Sequence, residues 1–388
     1  MTQILSVSSI LKYSGYILLA ILVLLFMVLI HELGHYIAGK ILKFKINEFS
    51  VGFGPKLLQK TKKNGEKISL RLLPLGGYCA FEGEDEDGNE SPEAFNNQKP
   101  WKRLIVLFSG AFFNFLSAII FSFILLLSNG YDLVQVKNID STSINYGYLQ
   151  TQDVVLGINN QDIDFVHDES MNVLITQYVK SNYNSYMGDD LHGEYSYVDN
   201  DKTYYLDTQD IIYNVRRDGA ETPVAGKINV IYNDEGKCTG WTLCATEKTN
   251  ADEFAIATYR YSFGESVVQA VPFTCKWAYK VLLIFGDLIT GQLDLNAIGG
   301  PVTTINMIAS NAQQSMSYLL ILLPVIAVNL AVFNLLPIPA LDGCQMIFVA
   351  IEWIRKKPIN RNVVNAINNV GLLVLLGFVV LVDILQFI

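Results

Sequence analysis

The sequence predicts an α-helical integral membrane protein with four transmembrane helices, a membrane-associated β-hairpin region and an inserted extracytoplasmic α+β domain. Three observations predict this fold. Apolar residues make up 51% of the 388 residues, and they gather in long runs instead of spreading evenly as in a soluble core. A polar segment with strand-like patterning separates the second run from the third. Lysine and arginine concentrate in two short stretches between the runs.

Four runs are long and apolar enough to cross a hydrocarbon core about 30 Å thick, which takes about 20 helical residues. The first run does not have the features of a cleaved secretory signal, because His31, Glu32 and His35 follow where a small-residue cleavage site would stand. We therefore expect all four to be retained as transmembrane helices. The runs cover residues 16–38, 104–127, 318–336 and 370–388.

The basic residues predict the orientation. Most of those near the runs lie between Lys40 and Arg103, and four more lie between Arg355 and Arg361. By the positive-inside rule both stretches are cytoplasmic, which places the two termini and the segment between the second and third runs outside. The net charge of −9 is divided unevenly, with Asp dominating the middle of the chain, and so says nothing about nucleic acid. We expect no nucleic-acid partner.

A fifth apolar stretch, 267–289, bears on this topology, because an additional crossing would place the two basic stretches on opposite sides of the membrane. It contains Pro272, Lys276 and Asp287, which are unfavourable inside a bilayer. We therefore expect an interfacial amphipathic helix. Its apolar face is expected to contain Val267, Val271, Ala278 and Leu282.

Residues 46–81 have the pattern of strands. Ile68, Leu70 and Leu72 alternate with polar residues, the sequence GFGP at 52–55 predicts a turn, and GGY at 76–78 is expected to end the segment. The acidic run 82–90 then predicts a solvated loop. We also expect these hairpins to offer strand edges, around Ile68 to Leu72, to an extended peptide.

The segment 130–261 has the size of one domain. A β-branched strand and two turns are predicted within 148–163, and 211–224 predicts a hairpin with a tight turn at Asp218 and Gly219. Residues 178–210, rich in Tyr, Asn and Asp, resemble an insertion. The expected organisation is therefore a first membrane part at 1–129, the external domain at 130–261, and a second membrane part at 262–388.

The sequence HELGH places His31 and His35 one helical turn apart on the same face, where both imidazoles can bind one zinc ion, with Glu32 beside them as a base. His31 lies about 12 Å of helical rise before the end of its span. Ionisable groups at such depth are costly and are usually functional. The alternative is a chance match or a pair of structural histidines in the core. Because the chain has only 4 His in total, a chance match to this pattern is rare.

Asp342 is the candidate for a third zinc ligand. It follows Pro337 and Pro339, which break the third span and free backbone groups that need a polar environment. A catalytic zinc site has three protein ligands and an open position. The alternative is an ordinary helix end with an Asp-Gly turn.

The cysteines do not predict a disulfide framework or a thiolate cluster. The five are scattered without a CxxC spacing. Cys238 and Cys244 could form a disulfide if exported, and Cys344 is close enough in sequence to Asp342 to be a rival or additional ligand.

Several segments, taken in order, resemble the bacterial site-2 protease family, and most closely its regulator of sigma-E protease type. The resemblance covers nearly the whole chain apart from 178–210. It departs from the family's usual pattern at Ala111, at Cys344 and at 79–81. The matching segments are HELGHYIAGK, VGFGPKL, RLLPLGGY, KPWKRLIVLFSGAFFNFLSA, YLQTQDVVLGINNQDI and NLAVFNLLPIPALDG.

The resemblance implies His31, His35 and Asp342 as zinc ligands and Glu32 as the catalytic base. It implies a PDZ-like fold for the external domain, a location in the bacterial inner membrane, and an active site toward the cytoplasm. The implied substrates are single-pass membrane proteins, such as trimmed anti-sigma factors or remnant signal peptides. Substrate contacts are implied for Asn334, Pro337, Asn114 and the membrane-dipping hairpin with Gly52, Gly54, Gly76 and Gly77, although Asn114 could equally tie helices together.

Two other classes of function remain possible. A divalent-metal transporter also needs His and Asp inside the membrane, but the outer half of the first span, 16–30, lacks the polar residues that an ion path requires. An inactive member of the family could act as a membrane scaffold through its PDZ-like domain. Substitution of Glu32 distinguishes these functions from proteolysis.

Overall fold

The computed structural model describes most of the chain. The described residues are 7–84, 91–139, 141, 143–159, 161–162, 171–183, 185, 195–199, 202–242, 254–291 and 299–386. Cys244, most of the acidic run 82–90 and parts of the segment 178–210 lie outside them. The contacts divide the chain into two units, the first formed by Met1–Leu125 with Val267–Ile388, and the second by Leu126–Ser266.

Eight α-helices and one short 3₁₀ helix, Phe95–Asn97, occur in the described part of the chain. The α-helices are α1 (Val7–Ile41), α2 (Pro100–Ser128), α3 (Met171–Asn182), α4 (Phe263–Thr290), α5 (Pro301–Gln314), α6 (Met316–Leu335), α7 (Asp342–Arg355) and α8 (Arg361–Leu385). Five of them, α1, α2, α4, α6 and α8, are long and apolar enough to span a membrane. The four predicted runs correspond to four of these helices, and α4 is the fifth candidate.

The predicted apolar face of α4 is largely exposed. Val267, Val271 and Leu282 are about half exposed, whereas Ala270, Phe273, Thr274 and Val281 are buried. Thr274 Oγ1 is 2.9 Å from Ser122 Oγ of α2, and the ring of Phe285 packs edge-on against Phe333 of α6. α4 contacts two neighbouring helices through one face, and its exposed apolar side chains are left for lipid.

Helices α1 and α2 cross at glycines. A methyl group on Gly34 would lie 2.4 Å from the Ser109 carbonyl oxygen and 3.0 Å from the Gly110 Cα. Only small residues allow two backbones to approach this closely, as is common in membrane helix packing. The crossing lies between His31 and His35 of α1 and therefore fixes which part of α2 faces them.

The break after α6 occurs where the prolines predict it. α6 ends at Leu335, and α7 begins at Asp342. A Cβ on Gly343 would lie 2.3 Å from the Leu335 carbonyl oxygen, so the first turn of α7 is pressed against the end of α6. Ala340 has φ +74°, which shows the sharpness of the reversal. This turn fixes the position of the Asp342 carboxylate.

Two long strands, β1 (Ile46–Thr61) and β2 (Lys67–Phe81), form the hairpin region next to α1. The sequence GFGP does not end a strand, because β1 passes through it with Gly52 at φ +85° and Gly54 at φ +80°, values that glycine adopts without strain. GGY likewise lies inside β2. Each strand bends, so that four straight arms result.

The register sets the order of these arms as 77–81, 46–51, 67–71 and 56–61. Ser50 pairs with both Tyr78 and Ser69, and Ile68 pairs with both Phe49 and Lys60. The expected free edge at Ile68 to Leu72 is therefore wrong for 68–71, which is interior to the sheet. The edges of the described sheet are the arms 77–81 and 56–61.

A buried carboxylate anchors the sheet to α1. Glu66, in the tight connection between β1 and β2, is 1% exposed and accepts hydrogen bonds from Tyr36 Oη at 2.8 Å, from Lys62 Nζ at 2.8 Å and from Lys40. Burial alone raises the pKa of Glu66, but the hydrogen bonds from these donors outweigh burial and lower the pKa to about 2. The carboxylate is therefore ionised throughout the physiological range.

The second unit contains an antiparallel sheet. Its described strands are β3 (Tyr131–Val136), β4 (Val154–Ile158), β5 (Gln161–Asp162), β6 (Tyr195–Asp199), β7 (Lys202–Arg217), β8 (Ala220–Asn233), β9 (Cys238–Thr242) and β10 (Phe254–Tyr259). The main order is β10-β3-β4-β7-β8-β9. Trp241 of β9 donates to Thr176 of α3 at 2.9 Å, which ties the helix to the sheet.

The predicted hairpin at 211–224 is present. Asp218 has φ +52° and Gly219 has φ +80°, as in the tight turns that favour Asp-Gly. The described parts of the 178–210 segment belong to α3, β6 and β7. Part of this segment therefore extends the sheet instead of forming an irregular loop. Cys238 is a free, buried thiol. A PDZ-like fold for the unit stays a prediction.

Candidate metal centre

Three potential ligand atoms from distant parts of the chain meet at one point. His31 Nε2 lies 3.0 Å from Asp342 Oδ2, His35 Nε2 lies 3.3 Å from the same oxygen, and the two ring nitrogens are 3.1 Å apart. Both histidines are 8% exposed. Residues 31 and 35 share one face of α1, and residue 342 opens α7, so the convergence joins the two halves of the sequence.

Hydrogen bonds on the far sides of the rings orient the two histidines. His35 Nδ1 lies 2.8 Å from the Val106 carbonyl oxygen, which can only accept a hydrogen bond, so the Nδ1–H of His35 donates to it. The Nε2 of a neutral His35 therefore keeps its lone pair toward Asp342. An imidazole that donates its other N–H to a carbonyl is the usual arrangement of a metal-binding histidine.

His31 has a side-chain partner. Asn114 Nδ2 lies 3.3 Å from His31 Nδ1, and the amide oxygen of Asn114 is buried without a hydrogen-bond partner. The two ends of an amide have nearly the same shape. With the amide turned over, its oxygen accepts the Nδ1–H of His31 and so gains a partner. His31 then presents an Nε2 lone pair, as His35 does.

The three atoms fit a zinc ion. Ligands at 2.0 to 2.1 Å from a tetrahedral centre lie about 3.3 Å from one another, close to the 3.0 to 3.3 Å separations here. Asp342 Oδ2 is buried and accepts no hydrogen bond, although a buried carboxylate oxygen needs a cationic or donor partner. Among the described residues, the compact ligand group contains His31, His35 and Asp342, and not Cys344.

The space beside the histidines depends on a glycine of α2. A Cβ on Gly110 would lie 2.5 Å from His35 Nε2 and 2.7 Å from His31 Cε1. Both distances are far below van der Waals contact, so a larger residue would displace the rings. The absence of a side chain at Gly110 is therefore what lets both imidazoles point toward Asp342.

Glu32 and the ligand group line one cavity of about 400 Å³. Asn114 and Asn334 line it as well, and Asn334 donates from Nδ2 to the Leu330 carbonyl oxygen at 2.9 Å. The arm 77–81 of β2 contributes Tyr78, Cys79 and Phe81 to the wall. The cavity thus joins an acid–base group, the ligand atoms and one edge of the sheet.

The remaining residues with implied substrate contacts lie outside this cavity wall. Gly77 is nearest, because a Cβ there would lie 3.6 Å from Glu32 Cγ. Gly76 packs against Phe53, and Gly52 packs against backbone of β2. Pro337 lies in the turn between α6 and α7. The wall of the cavity does not include Gly52, Gly54, Gly76, Gly77 or Pro337.

Two contributors from α2 were absent from the sequence-based site. The Val106 carbonyl orients His35, and Gly110 makes room for both rings. Both could have been found from spacing, because Val106, Gly110 and Asn114 follow one another at intervals of four and must share one helical face. No sequence signal identifies Tyr78, whose hydroxyl accepts from Arg71 at 2.6 Å.

Comparison with known proteins identifies the family. Residues 19–378 match the model of peptidase family M50. Three similar proteins are each named "putative zinc metalloprotease". The one from Clostridium perfringens is 28% identical over 373 residues, covering 95% of this chain and 97% of its own. Those from Campylobacter jejuni and from Helicobacter pylori strain J99 are 28% and 29% identical, covering 94% of this chain and 91% and 96% of their own.

The family match covers far more than half of the chain, and it includes all three residues of the ligand group as well as Glu32. The five long apolar helices agree with a multi-pass membrane protein. The chain belongs to peptidase family M50, the site-2 protease family, and is a zinc metalloprotease.

Proposed function

We propose that this protein hydrolyses peptide bonds within the membrane-spanning segments of single-pass membrane proteins, with His31, His35 and Asp342 holding the zinc ion. One observation carries the proposal. The ligand group lies within an assembly of helices that are long and apolar enough to span a membrane, and it opens into a cavity that also contains a carboxylate. Such an arrangement suits a substrate that is itself embedded in lipid.

The catalytic roles follow from the position of each group. Bound zinc would polarise a peptide carbonyl and acidify a water molecule. Glu32 takes the proton of the attacking water and returns it to the leaving amine. Asn334, on the same cavity wall, can donate to the developing oxyanion once its amide leaves the Leu330 carbonyl. Asn114 holds the ring of His31, which makes it a positioning residue.

A substrate helix hides its carbonyl groups in its own hydrogen bonds, so it must unwind before hydrolysis. We propose that the arm 77–81 receives the unwound segment as an added strand. This arm is an edge of the described sheet, and its residues Tyr78, Cys79 and Phe81 line the cavity of Glu32. The opposite edge, 56–61, does not contribute to that wall. Strand addition at 77–81 would thus bring substrate backbone to the zinc ligands.

The positions of the basic residues support an orientation in the bacterial cell membrane with the active site toward the cytoplasm. Arg103, at the start of α2, and Arg361, at the start of α8, both bond to Glu352 near the end of α7. The two basic stretches of the sequence therefore lie at one end of the helices, as the positive-inside rule requires for a common cytoplasmic side. The second unit, proposed as PDZ-like, would lie outside and restrict substrates by the size of their external part, as suits trimmed anti-sigma factors or remnant signal peptides.

Replacing Glu32 with Gln should separate metal binding from catalysis. We expect Glu32→Gln to keep zinc within about twofold of the native content while cleavage falls by at least about 100-fold, because the amide cannot accept the proton of water. Asp342→Asn should lose zinc and activity together, because an amide is a weaker ligand than a carboxylate. The measurements are zinc content by elemental mass spectrometry and cleavage of a single-span peptide in detergent micelles.

Retained cleavage in Glu32→Gln, or normal zinc content together with normal activity in Asp342→Asn, would contradict these roles. Glu93→Gln, a carboxylate replaced outside the cavity wall, is the matched control and should keep both zinc and activity. Metal transport or binding of a partner through the second unit would persist in Glu32→Gln, so the variant also tests the rival functions.

Adding one methyl group to α2 should weaken zinc binding. In Gly110→Ala the new Cβ would meet His35 Nε2 at 2.5 Å, and we expect zinc affinity to fall about 10- to 100-fold, as when a histidine loses its orientation. Affinity is measured by competition with a chelator. Gly286→Ala in α4, where a Cβ meets nothing within 4 Å, is the control. Equal affinity in both variants would show that Gly110 does not shape the site.

Photo-crosslinking tests which strand edge receives the substrate. A single-span substrate carrying a photoreactive residue beside its scissile bond, bound to the Glu32→Gln enzyme, should crosslink to the arm 77–81, because this edge shares the cavity of Glu32. Mass spectrometry of the crosslinked peptides identifies the arm. Crosslinks confined to the arm 56–61 would contradict the proposal, and a competing unlabelled substrate should abolish the specific product.

A further inference from the structure

We propose that a second cavity, separate from the metal centre, binds a phosphate-ester anion such as the headgroup of an anionic phospholipid. This cavity has a volume of about 690 Å³ and is formed where α2 and α8 begin and α7 ends. Among the residues that the structure describes, the charged side chains in its wall are four cations and one anion, namely Arg103, Lys356, Lys357, Arg361 and Glu352. The metal-ligand residues do not line it.

The floor of the cavity is a buried charge network with an excess of positive charge. Arg103 Nη1 donates to Glu352 Oε2 at 2.6 Å, and Arg361 Nη2 donates to Glu352 Oε1 at 3.0 Å. Arg103, Glu352 and Arg361 are 4%, 6% and 7% exposed. One carboxylate thus serves two guanidinium groups in the described hydrogen bonds, so these two cations carry one more charge than the anion bonded to them, although the charge of Glu84 also acts on Arg103. Burying such a charge is costly unless a further anion shares the site.

Arg103 retains an unused donor. Its Nε is buried and has no hydrogen-bond partner among the described residues, while the guanidinium stacks over the ring of Phe95 at 5.3 Å. A buried N–H without an acceptor is uncommon and indicates a missing partner. An oxygen-rich anion in the cavity would supply that acceptor, because the planar fork of arginine suits phosphate oxygens.

The surrounding backbone adds to the positive potential. α2 begins at Pro100 and α8 begins at Arg361, and both residues line the cavity, so two positive helix N-termini meet there against the single negative C-terminus of α7. Lys356 and Lys357 are exposed at its rim. The nearby carboxylate of Glu84 lines the cavity of the metal centre instead. The anion-binding features therefore converge from three helices.

The location favours a lipid as the source of the phosphate. α2 and α8 are candidate membrane spans, and the cavity lies at their first residues, where the phosphate layer of a bilayer meets the protein. Trp353 lines the cavity and is 51% exposed, as is typical of tryptophan at a membrane interface. A volume of about 690 Å³ also accommodates a headgroup and not only a small ion.

Native mass spectrometry of the delipidated full chain in detergent tests the site. Dioleoylphosphatidylglycerol should bind at least about tenfold more tightly than dioleoylphosphatidylcholine, whose choline cation the site repels. K356Q/K357Q should weaken phosphatidylglycerol binding about 30-fold, because two lysines near an anionic headgroup are lost. The matched control K60Q/K63Q removes two exposed lysines of the hairpin region, away from the cavity wall, and should change binding by less than about twofold.

A second variant and a competitor make the outcomes decisive. R103K keeps the charge but lacks the guanidinium fork, and it should weaken phosphatidylglycerol binding while K60Q/K63Q does not. Inorganic phosphate that displaces the lipid at millimolar concentration would identify a soluble phosphate ester as the source, and failure to displace it would identify the lipid. Equal binding of both lipids, or equal losses in K356Q/K357Q and K60Q/K63Q, would overturn the proposal.

Discussion

The meeting of two imidazoles and one carboxylate from opposite ends of the chain is the constraint on which the rest of the structure depends. Polar groups buried among apolar helices are tolerated only when their partners are in place. Two close approaches secure those partners. The crossing of Gly34 with Ser109 and Gly110 brings α2 to the histidines, and the contact of Gly343 with Leu335 presses the start of α7, and so Asp342, against the end of α6.

In the proposed mechanism, the hairpin region gives this centre a route to its substrate. Glu66 anchors the sheet to α1 through Lys40 and Tyr36, and Arg71 binds both Glu48 and the Tyr78 hydroxyl. These bonds keep the arm 77–81 beside the metal centre without any other described strand covering its outer edge. A rigid sheet edge next to a buried acid–base group is the arrangement that an unwound peptide segment requires.

Local sequence patterns predicted much of the fold and the centre of the site. HELGH and the break at Pro337 depend on helical spacing and proline geometry, which a single sequence reveals. The interior position of Ile68, the packed face of α4 and the role of the Val106 carbonyl depend on pairings between distant segments. Alternation shows that Ile68 belongs to a strand, but it does not show which strands lie on either side. Backbone groups carry no residue-type signal at all.

X-ray absorption at the zinc edge of the purified protein is the most direct test of the central claim. We predict one zinc ion per chain, with a shell of nitrogen and oxygen atoms at about 2.0 to 2.1 Å and the multiple-scattering signal of two imidazoles. A sulfur contribution at about 2.3 Å, which Cys344 would supply, or a spectrum unchanged in Asp342→Ala, would contradict the assignment of His31, His35 and Asp342 as the protein ligands.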